Sequence, residues 1–240
     1  MNPKRLNLKK QIYSSKRTKK GYISSVFHFS RIKPCLKWVE DEMKKVKKPL
    51  KILDVGCSTG EVAKFFIDMG NEVCGIDVCE DALKEAERKG VKTKIHDCEE
   101  PLPYGSEIFD VVYAGQILEH IYDTEGFLKE CRRVLKKGGL LILSTPNIAS
   151  LPSRLRLLFG LYPKWVAPSL KHYQPGDHIR AFTKSVLKDL VERCGFRVEQ
   201  IISNLVSFLP TGRTSPPWCI FLGRIFPSLG EILILKARKT

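Results

Sequence analysis

"ILDVGCSTG", residues 52–60, decides the fold. Ile52 and Leu53 lead into Asp54, and the chain then turns on Gly56 and Gly60. A short apolar run that ends on a carboxylate and breaks into glycines reads as a buried strand passing through a bare turn into a helix. Such a turn lets a ligand approach the backbone closely, because glycine accepts left-handed conformations and has no side chain in the way.

The flanks have strand–helix rhythm. "KILDV" (51–55) is the first strand, and "EVAKFFIDMG" a helix that stops at Gly70. "NEVCGID" (71–77) is a second strand, "EDALKEAERKG" a helix, and "VKTKIHD" (91–97) a third strand. "IFDVVYAG" (108–115) is a fourth strand. "TEGFLKECRRVLKKGG" is a helix with cations in its last turn, and "LLILSTP" (140–146) a fifth strand. Strands alternating with helices at this spacing predict crossover units and a parallel sheet. Upstream, 35–46 reads as an amphipathic helix. Residues 147–180 read as an irregular cap broken by prolines. Downstream come a helix capped by Thr183, the strand "FRVEQIIS", a proline-rich apolar stretch at 207–230 and a last strand, "EILILKARK".

Composition narrows the classes. The chain has 240 residues and is 43% hydrophobic, enough for a normal core. Its eight cysteines are scattered with no C-x-x-C pair, so no metal site and no disulfide scaffold is expected, and the reading is a reducing, cytoplasmic setting. No apolar run approaches the ~18 residues of a membrane span, and no leader segment is read at the start. Of the net charge of +15, residues 1–50 contribute fifteen cations against three acids. The expected organisation is a basic arm over 1–30 and one folded domain over 31–240. Lys4 to Lys20, with eight cations and no acid, can hold nucleic acid or an anionic surface, or remain a solvated tail.

In an open parallel sheet, ligands lie at the carboxyl ends of the strands. Those ends carry Asp54, Gly56, Ser58 and Gly60, then Asp77, then Asp97 and Cys98. Asp77 follows the glycine turn at a distance that suits a carboxylate accepting from two ribose hydroxyls, in a nicotinamide or an S-adenosylmethionine site alike. The turn itself discriminates. It runs Gly56-Cys57-Ser58-Thr59-Gly60-Glu61, without the G-x-G-x-x-G of a pyrophosphate site and without the Gly-Lys-Ser/Thr of a phosphate loop, and Glu61 would repel phosphate. A ligand with an ammonium and a carboxylate fits better. Backbone N–H groups over Ser58–Glu61 are expected to take the carboxylate, and Asp54 to orient the ammonium.

With "ILDVGCSTGEVAKFF", "VCGIDVCEDAL", "IHDCEEPLPYGSEIFDVVYAGQILEHIYD", "RRVLKKGGLLILSTPN" and "HIRAFTKSVLKDLVERCGF" in this order, the chain resembles class I S-adenosylmethionine-dependent methyltransferases, in particular the ubiquinone-biosynthesis O-methyltransferases. The resemblance implies an α/β, Rossmann-like seven-stranded sheet of order 3-2-1-4-5-7-6 with the last strand antiparallel, flanked by helices. It implies S-adenosylmethionine as cofactor, Gly56, Cys57, Ser58 and Gly60 in the cofactor turn, and Asp77 with Val78 at the ribose. It further implies Asp97 accepting from the adenine amino group, the Cys98 backbone donating to the ring, and Gln116 at the methionine end. Ser58 replaces the middle glycine of the family's motif.

His120, in "LEHIYD", is the candidate general base; bracing a helix is its alternative role. The expected reaction is methyl transfer to a small-molecule or lipid-like acceptor, at oxygen. An RNA methyltransferase using the basic arm and a non-catalytic cofactor-binding scaffold are the alternatives. The apolar stretches at 151–170 and 207–230 either cover the domain or approach a membrane, with Trp218 and Arg224 at its interface.

Overall fold

Lys51–Val55 forms β1, buried from Ile52 onward, and it is the middle of everything that follows. The computed structural model describes residues 25–163, 166, 178–208 and 216–240. β1 pairs in parallel with β2 (Glu72–Asp77) on one side and β4 (Phe109–Gly115) on the other. β3 (Lys92–Ile95) extends the β2 side; β5 (Leu135–Pro146), β7 (Ile232–Lys239) and β6 (Phe196–Ser203) extend the β4 side. The strand order is 3-2-1-4-5-7-6, with β7 antiparallel to both neighbours, as the resemblance implied. Strand order reverses between β1 and β4, which opens a crevice beyond their carboxyl ends.

Among the described residues six further α-helices join α1 (Val26–Val46): α2 (Glu61–Asp68), α3 (Glu80–Arg88), α4 (Thr124–Val134), α5 (Leu151–Leu158), α6 (Lys184–Arg193) and α7 (Pro217–Ile225). They cover both faces of the sheet. One apolar layer gathers Leu53, Val55, Ile76, Val112 and Leu141 with α4 and α6; the other gathers Ile52, Phe66, Tyr113, Leu140 and Ile142 with α1 and α2. Burial on both faces accounts for the unbroken apolar run of "LLIL".

The structure departs from the sequence reading in four places. α1 begins at Val26, capped by Ser25, not at residue 35, so it starts five residues inside the stretch read as a free arm. Pro34 sits inside it. Proline has no N–H for the carbonyl four residues back, and that carbonyl, of Ser30, accepts from Arg224 Nη2 at 2.8 Å. The helix runs through the proline because a distant guanidinium supplies the missing donor. Second, "LKKGG" is not the end of α4. Leu135 already pairs with Phe109, and the register shifts before Val111 meets Leu140. Third, residues 151–158 of the cap are helical. Fourth, 217–225 is a helix, and Arg224 points inward to the carbonyls of Ser203 and Ser30, not to an interface beside Trp218. The cations Lys4 to Lys20, Trp165, His172 and Arg213 lie outside the described residues.

Candidate cofactor and acceptor site

Asp54 is buried in β1, followed by the equally buried Val55, and Gly56 then makes the turn with φ of 73°. Its N–H and that of Cys57 both donate to the Ile76 carbonyl, at 2.8 and 3.0 Å, so the turn is stitched to the end of β2. Ser58 follows with φ of 48°, in the left-handed region that glycine takes freely and other residues take at a cost. Gly60 then starts α2 with φ of 72°, and a Cβ there would stand 2.9 Å from the Ala86 Cα, so only glycine fits.

Asp77 secures the strained residue. Its Oδ2 accepts from the Ser58 N–H at 2.9 Å, and its Oδ1 accepts from the Cys79 N–H at 2.9 Å, at the start of α3. Each oxygen keeps a second lone pair for a ligand hydroxyl. The expectation that the amides of Ser58–Glu61 take a carboxylate is corrected at two positions: Ser58 N–H is bound to Asp77, and Gly60 N–H donates to the Cys57 carbonyl at 2.9 Å.

A buried cation stands in the same cleft. The cleft beyond β1 and β4 is lined by Arg31, Asp54, Gly56, Cys57, Ser58, Thr59, Glu61, Val62, Tyr113, Gly115 and Gln116. Arg31, on α1, was not singled out from the sequence. It is 5% exposed, and its Nη1 donates to the Tyr113 hydroxyl at 3.1 Å and to the Ser144 hydroxyl at 3.2 Å. A guanidinium meets a carboxylate in a planar, paired geometry. The helix was read from residue 35, after Pro34, which left the cation of "FHFSRIKPC" outside any element.

Asp54 lies opposite in charge. Burial pushes its carboxyl up to about 7, the nearby Asp77 carboxylate adds to the rise, and Arg31 opposes it. Burial raises the Cys57 thiol far above its usual range, with Asp54 and Asp77 adding to the effect; its Sγ faces the Ser58 carbonyl. Cys57 is therefore a thiol filling space beside Gly75, not a nucleophile.

The remaining predicted residues sit around this centre. Val78 is half-buried between Asp77 and α3. Asp97 is 7% exposed after β3 and folds its own loop, Oδ1 accepting from Glu99 N–H at 3.1 Å. Cys98 is buried beside it. Gln116 has φ of 60°, donates its backbone N–H to the Ser144 carbonyl, and points its amide at the Ser144 hydroxyl at 3.5 Å. Ser144 thus ties Arg31 and Gln116 together.

One turn beyond Gln116, the structure assembles a group that the sequence showed only in part. Leu118–His120 is a short 3-10 turn. The rings of His120 and His178 lie 5.0 Å apart, tilted edge to face, and His178 Nε2 is 4.0 Å from Glu119 Oε1. Glu119 Oε2 accepts from the Thr145 hydroxyl at 3.0 Å, and its carbonyl accepts from the N–H groups of Ile179 and Arg180. One ligand atom from each of Glu119, His120 and His178 lies within 4.8 Å of the others, a spacing that suits a shared proton or a divalent cation. The sequence reading, which argued against metal from the cysteines, did not reach this cluster because 58 residues separate its histidines.

Residues 53–143 match the family described as a methyltransferase domain. Over 170 residues the chain is 30% identical to the human mitochondrial ubiquinone biosynthesis O-methyltransferase, covering 66% of this chain and 45% of that protein. It is 29% identical over 143 residues to the ubiquinone biosynthesis O-methyltransferase of Caulobacter, covering 55% and 57%. The chain spans about half the length of these relatives. Its fold matches an S-adenosylmethionine-dependent methyltransferase from Mesorhizobium loti with a TM-score of 0.60 at 18% identity, over 86% of this chain and 96% of the other. It also matches a Burkholderia thailandensis N1-methyltransferase solved with S-adenosylhomocysteine, with a TM-score of 0.54 at 18% identity, over 88% and 78%. Residues 53–143 thus carry the match to a methyltransferase domain, on a sheet of order 3-2-1-4-5-7-6 whose fold agrees with these solved structures.

Proposed function

We propose that this chain moves the methyl group of S-adenosylmethionine to an oxygen of a small, apolar acceptor. The observation that carries the reading is the opposed pair Arg31 and Asp54 in one cleft beside the Gly56–Gly60 turn. A zwitterionic ligand end matches a buried cation and a buried carboxylate; a pyrophosphate does not. When bound, the cofactor would supply a methyl group made electrophilic by its positively charged sulfonium, whose sulfur takes back the bonding pair and leaves as a neutral thioether.

The residues divide the remaining work. Arg31 holds the α-carboxylate and Asp54 the ammonium. Asp77 offers its outer lone pairs to the ribose while fixing the turn through Ser58. Asp97 and the Cys98 backbone meet the adenine. Gln116 closes the methionine end. Positioning of two reacting groups supplies much of the acceleration in such a displacement. An alcohol or phenol acceptor must also lose a proton, and His120 takes it, oriented by Glu119 and His178.

The ubiquinone-biosynthesis relatives favour a quinol-like, lipid-tailed acceptor over a sugar or nucleic acid. Calorimetry with S-adenosylhomocysteine tests the cofactor half of the reading: wild type binds with one site per chain, and Arg31→Ala binds at least about tenfold more weakly, the scale of one charge-assisted hydrogen bond. Equal affinity in both would remove Arg31 from the site.

A further inference from the structure

The element that carries His120 is one turn long. His120 N–H closes it on the Ile117 carbonyl at 2.9 Å, and Ile121 N–H on the Leu118 carbonyl at 3.2 Å. Beyond it the chain passes through Ile121 and Tyr122 in no helix or strand before Asp123 caps α4. The Tyr122 side chain is 46% exposed, so its ring does little to fix the backbone there. Two charged side chains from distant parts of the chain fix it instead. The carbonyls of Ile121 and Tyr122 accept from Arg180, at Nε and Nη2, and the Tyr122 N–H donates to Glu99 Oε1 at 2.9 Å. Hydrogen bonds with one ionised partner are stronger than neutral ones.

Arg180 follows His178, and its own N–H donates to the Glu119 carbonyl at 3.1 Å, so it belongs to the segment that completes the histidine pair. Glu99 comes from elsewhere, the loop after β3 that carries Asp97. That loop is tied to the cofactor end of the sheet. His96 N–H donates to the Asp77 carbonyl at 2.9 Å, Asp97 Oδ1 accepts from Glu99 N–H at 3.1 Å, and the Asp97 carbonyl accepts from Glu100 N–H at 2.9 Å. A continuous path of backbone and hydrogen bonds therefore leads from Asp77 through Asp97 and Glu99 to Tyr122, two residues from His120. The far half of the loop is anchored without Glu99. Leu102 N–H donates to Glu130 Oε2 at 2.8 Å, and the carbonyls of Tyr104 and Leu102 accept from Arg133 at 2.8 and 3.0 Å.

We propose that Glu99 is a positioning residue for methyl transfer: its carboxylate sets the His120 turn in register with the loop assigned to the adenine. The inference rests on the roles proposed for His120 and Asp97. The cofactor is held in part by the loop after β3 and the proton acceptor by the turn after β4, and neither loop fixes the distance between them by itself. Glu99 supplies that distance through the Tyr122 backbone. The distance matters because a misplacement of about 1 Å can cost a reaction about a hundredfold in rate.

The test compares Glu99→Ala with Glu99→Gln and with Glu100→Ala, which removes the same charge from an exposed neighbour. Methyl transfer from labelled S-adenosylmethionine is measured at saturating membrane lipid extract, and calorimetry with S-adenosylhomocysteine reads the cofactor site. Glu99→Ala is expected to lower the maximal rate by roughly tenfold to a hundredfold while the KM for S-adenosylmethionine and the affinity for S-adenosylhomocysteine stay within about twofold. Glu99→Gln keeps an oxygen that accepts the same bond and recovers most of the rate, and Glu100→Ala matches wild type. A Glu99→Ala protein that melts lower but turns over at the wild-type rate overturns the inference, because the bond is then structural only. So does a Glu99→Gln protein no faster than Glu99→Ala.

A second measurement needs no turnover. Adenosine has the adenine and ribose but no amino-acid end, so its effect on His120 must pass through the protein. In NMR spectra of the wild type, adenosine shifts the Tyr122 amide and the His120 ring. In Glu99→Ala the loop around Asp97 still responds and the His120 ring does not. A wild-type His120 ring indifferent to bound adenosine overturns the inference. An inactive wild type whose His120 follows adenosine through Glu99 supports the link and defeats the proposed reaction instead.

Discussion

The Ser58 N–H donates to Asp77 Oδ2 at 2.9 Å, and this bond holds a serine in a backbone conformation natural to glycine. Asp77 is thereby both a ligand group and the brace of the cofactor turn. Asp77→Asn keeps the shape but offers an amide nitrogen where an oxygen accepted. The variant is expected to lose about 1–3 kcal/mol of S-adenosylhomocysteine affinity and to lower Tm; calorimetry and a thermal melt read the two separately. Ser58→Gly is expected to bind the cofactor product as wild type does and to melt no lower, since relief of the left-handed cost offsets the added chain entropy. A Ser58→Gly protein that fails to bind would mean that the serine hydroxyl is itself a ligand.

Asp54 gives the site a pH signature. Its folded pKa of about 7 lies above the ordinary 3.8. The folded state therefore holds this proton more tightly than the unfolded chain. The stability it contributes is complete below the unfolded value and is lost as pH rises through about 7. A ligand ammonium reverses the preference, because it favours the carboxylate. S-adenosylhomocysteine affinity should then rise from pH 6 to pH 8, with proton release near neutrality that shows as a buffer-dependent heat. Asp54→Asn abolishes the buffer dependence; its survival in that variant would assign the proton to another group.

Gly60 leaves no room for a methyl group, with the Ala86 Cα 2.9 Å from an added Cβ. Gly60→Ala must move α3 away from α2 and adopt a positive φ as well. A loss of about 2–4 kcal/mol follows from overpacking plus backbone strain, read as a lowered midpoint in urea. A Gly60→Ala protein as stable as wild type would show that the turn is looser than described.

Arg224 offers a prediction far from the cleft. Its guanidinium satisfies the Ser203 carbonyl at 2.9 Å and the Ser30 carbonyl that Pro34 leaves open. Arg224→Met keeps the apolar stem but orphans both acceptors, at a cost of about 2–4 kcal/mol. Adding Pro34→Ala returns an N–H to Ser30 and should recover part of the loss. A double variant no more stable than the single would break the link between the two.

β1, β2, β4 and β5 were legible because each is an apolar run that stops at or beside Gly, Asp or Pro; β3, β6 and β7 lack that signal and followed from the strand–helix alternation and the resemblance. The glycine turn and Asp77 were legible because their spacing along the chain is itself the signal. Arg31 was not: the helix reads from residue 35, because the donor that lets it run through Pro34 comes from Arg224, 194 residues from Ser30. His178 joined His120 only through the return of the chain past Glu119, which accepts from Ile179 and Arg180. The apolar residues of α7 were legible, but the outward direction of Trp218, Phe221 and Ile225 was not, since it depends on Gly223 meeting the Leu205 backbone.

Methyl transfer from S-adenosylmethionine labelled in its methyl group, with a membrane lipid extract and total RNA offered in one reaction, tests the central claim most directly. The account predicts label in the organic phase, lost with Arg31→Ala and strongly reduced with His120→Ala. Label in the RNA, or none above a heat-denatured control while S-adenosylhomocysteine still binds, would contradict it.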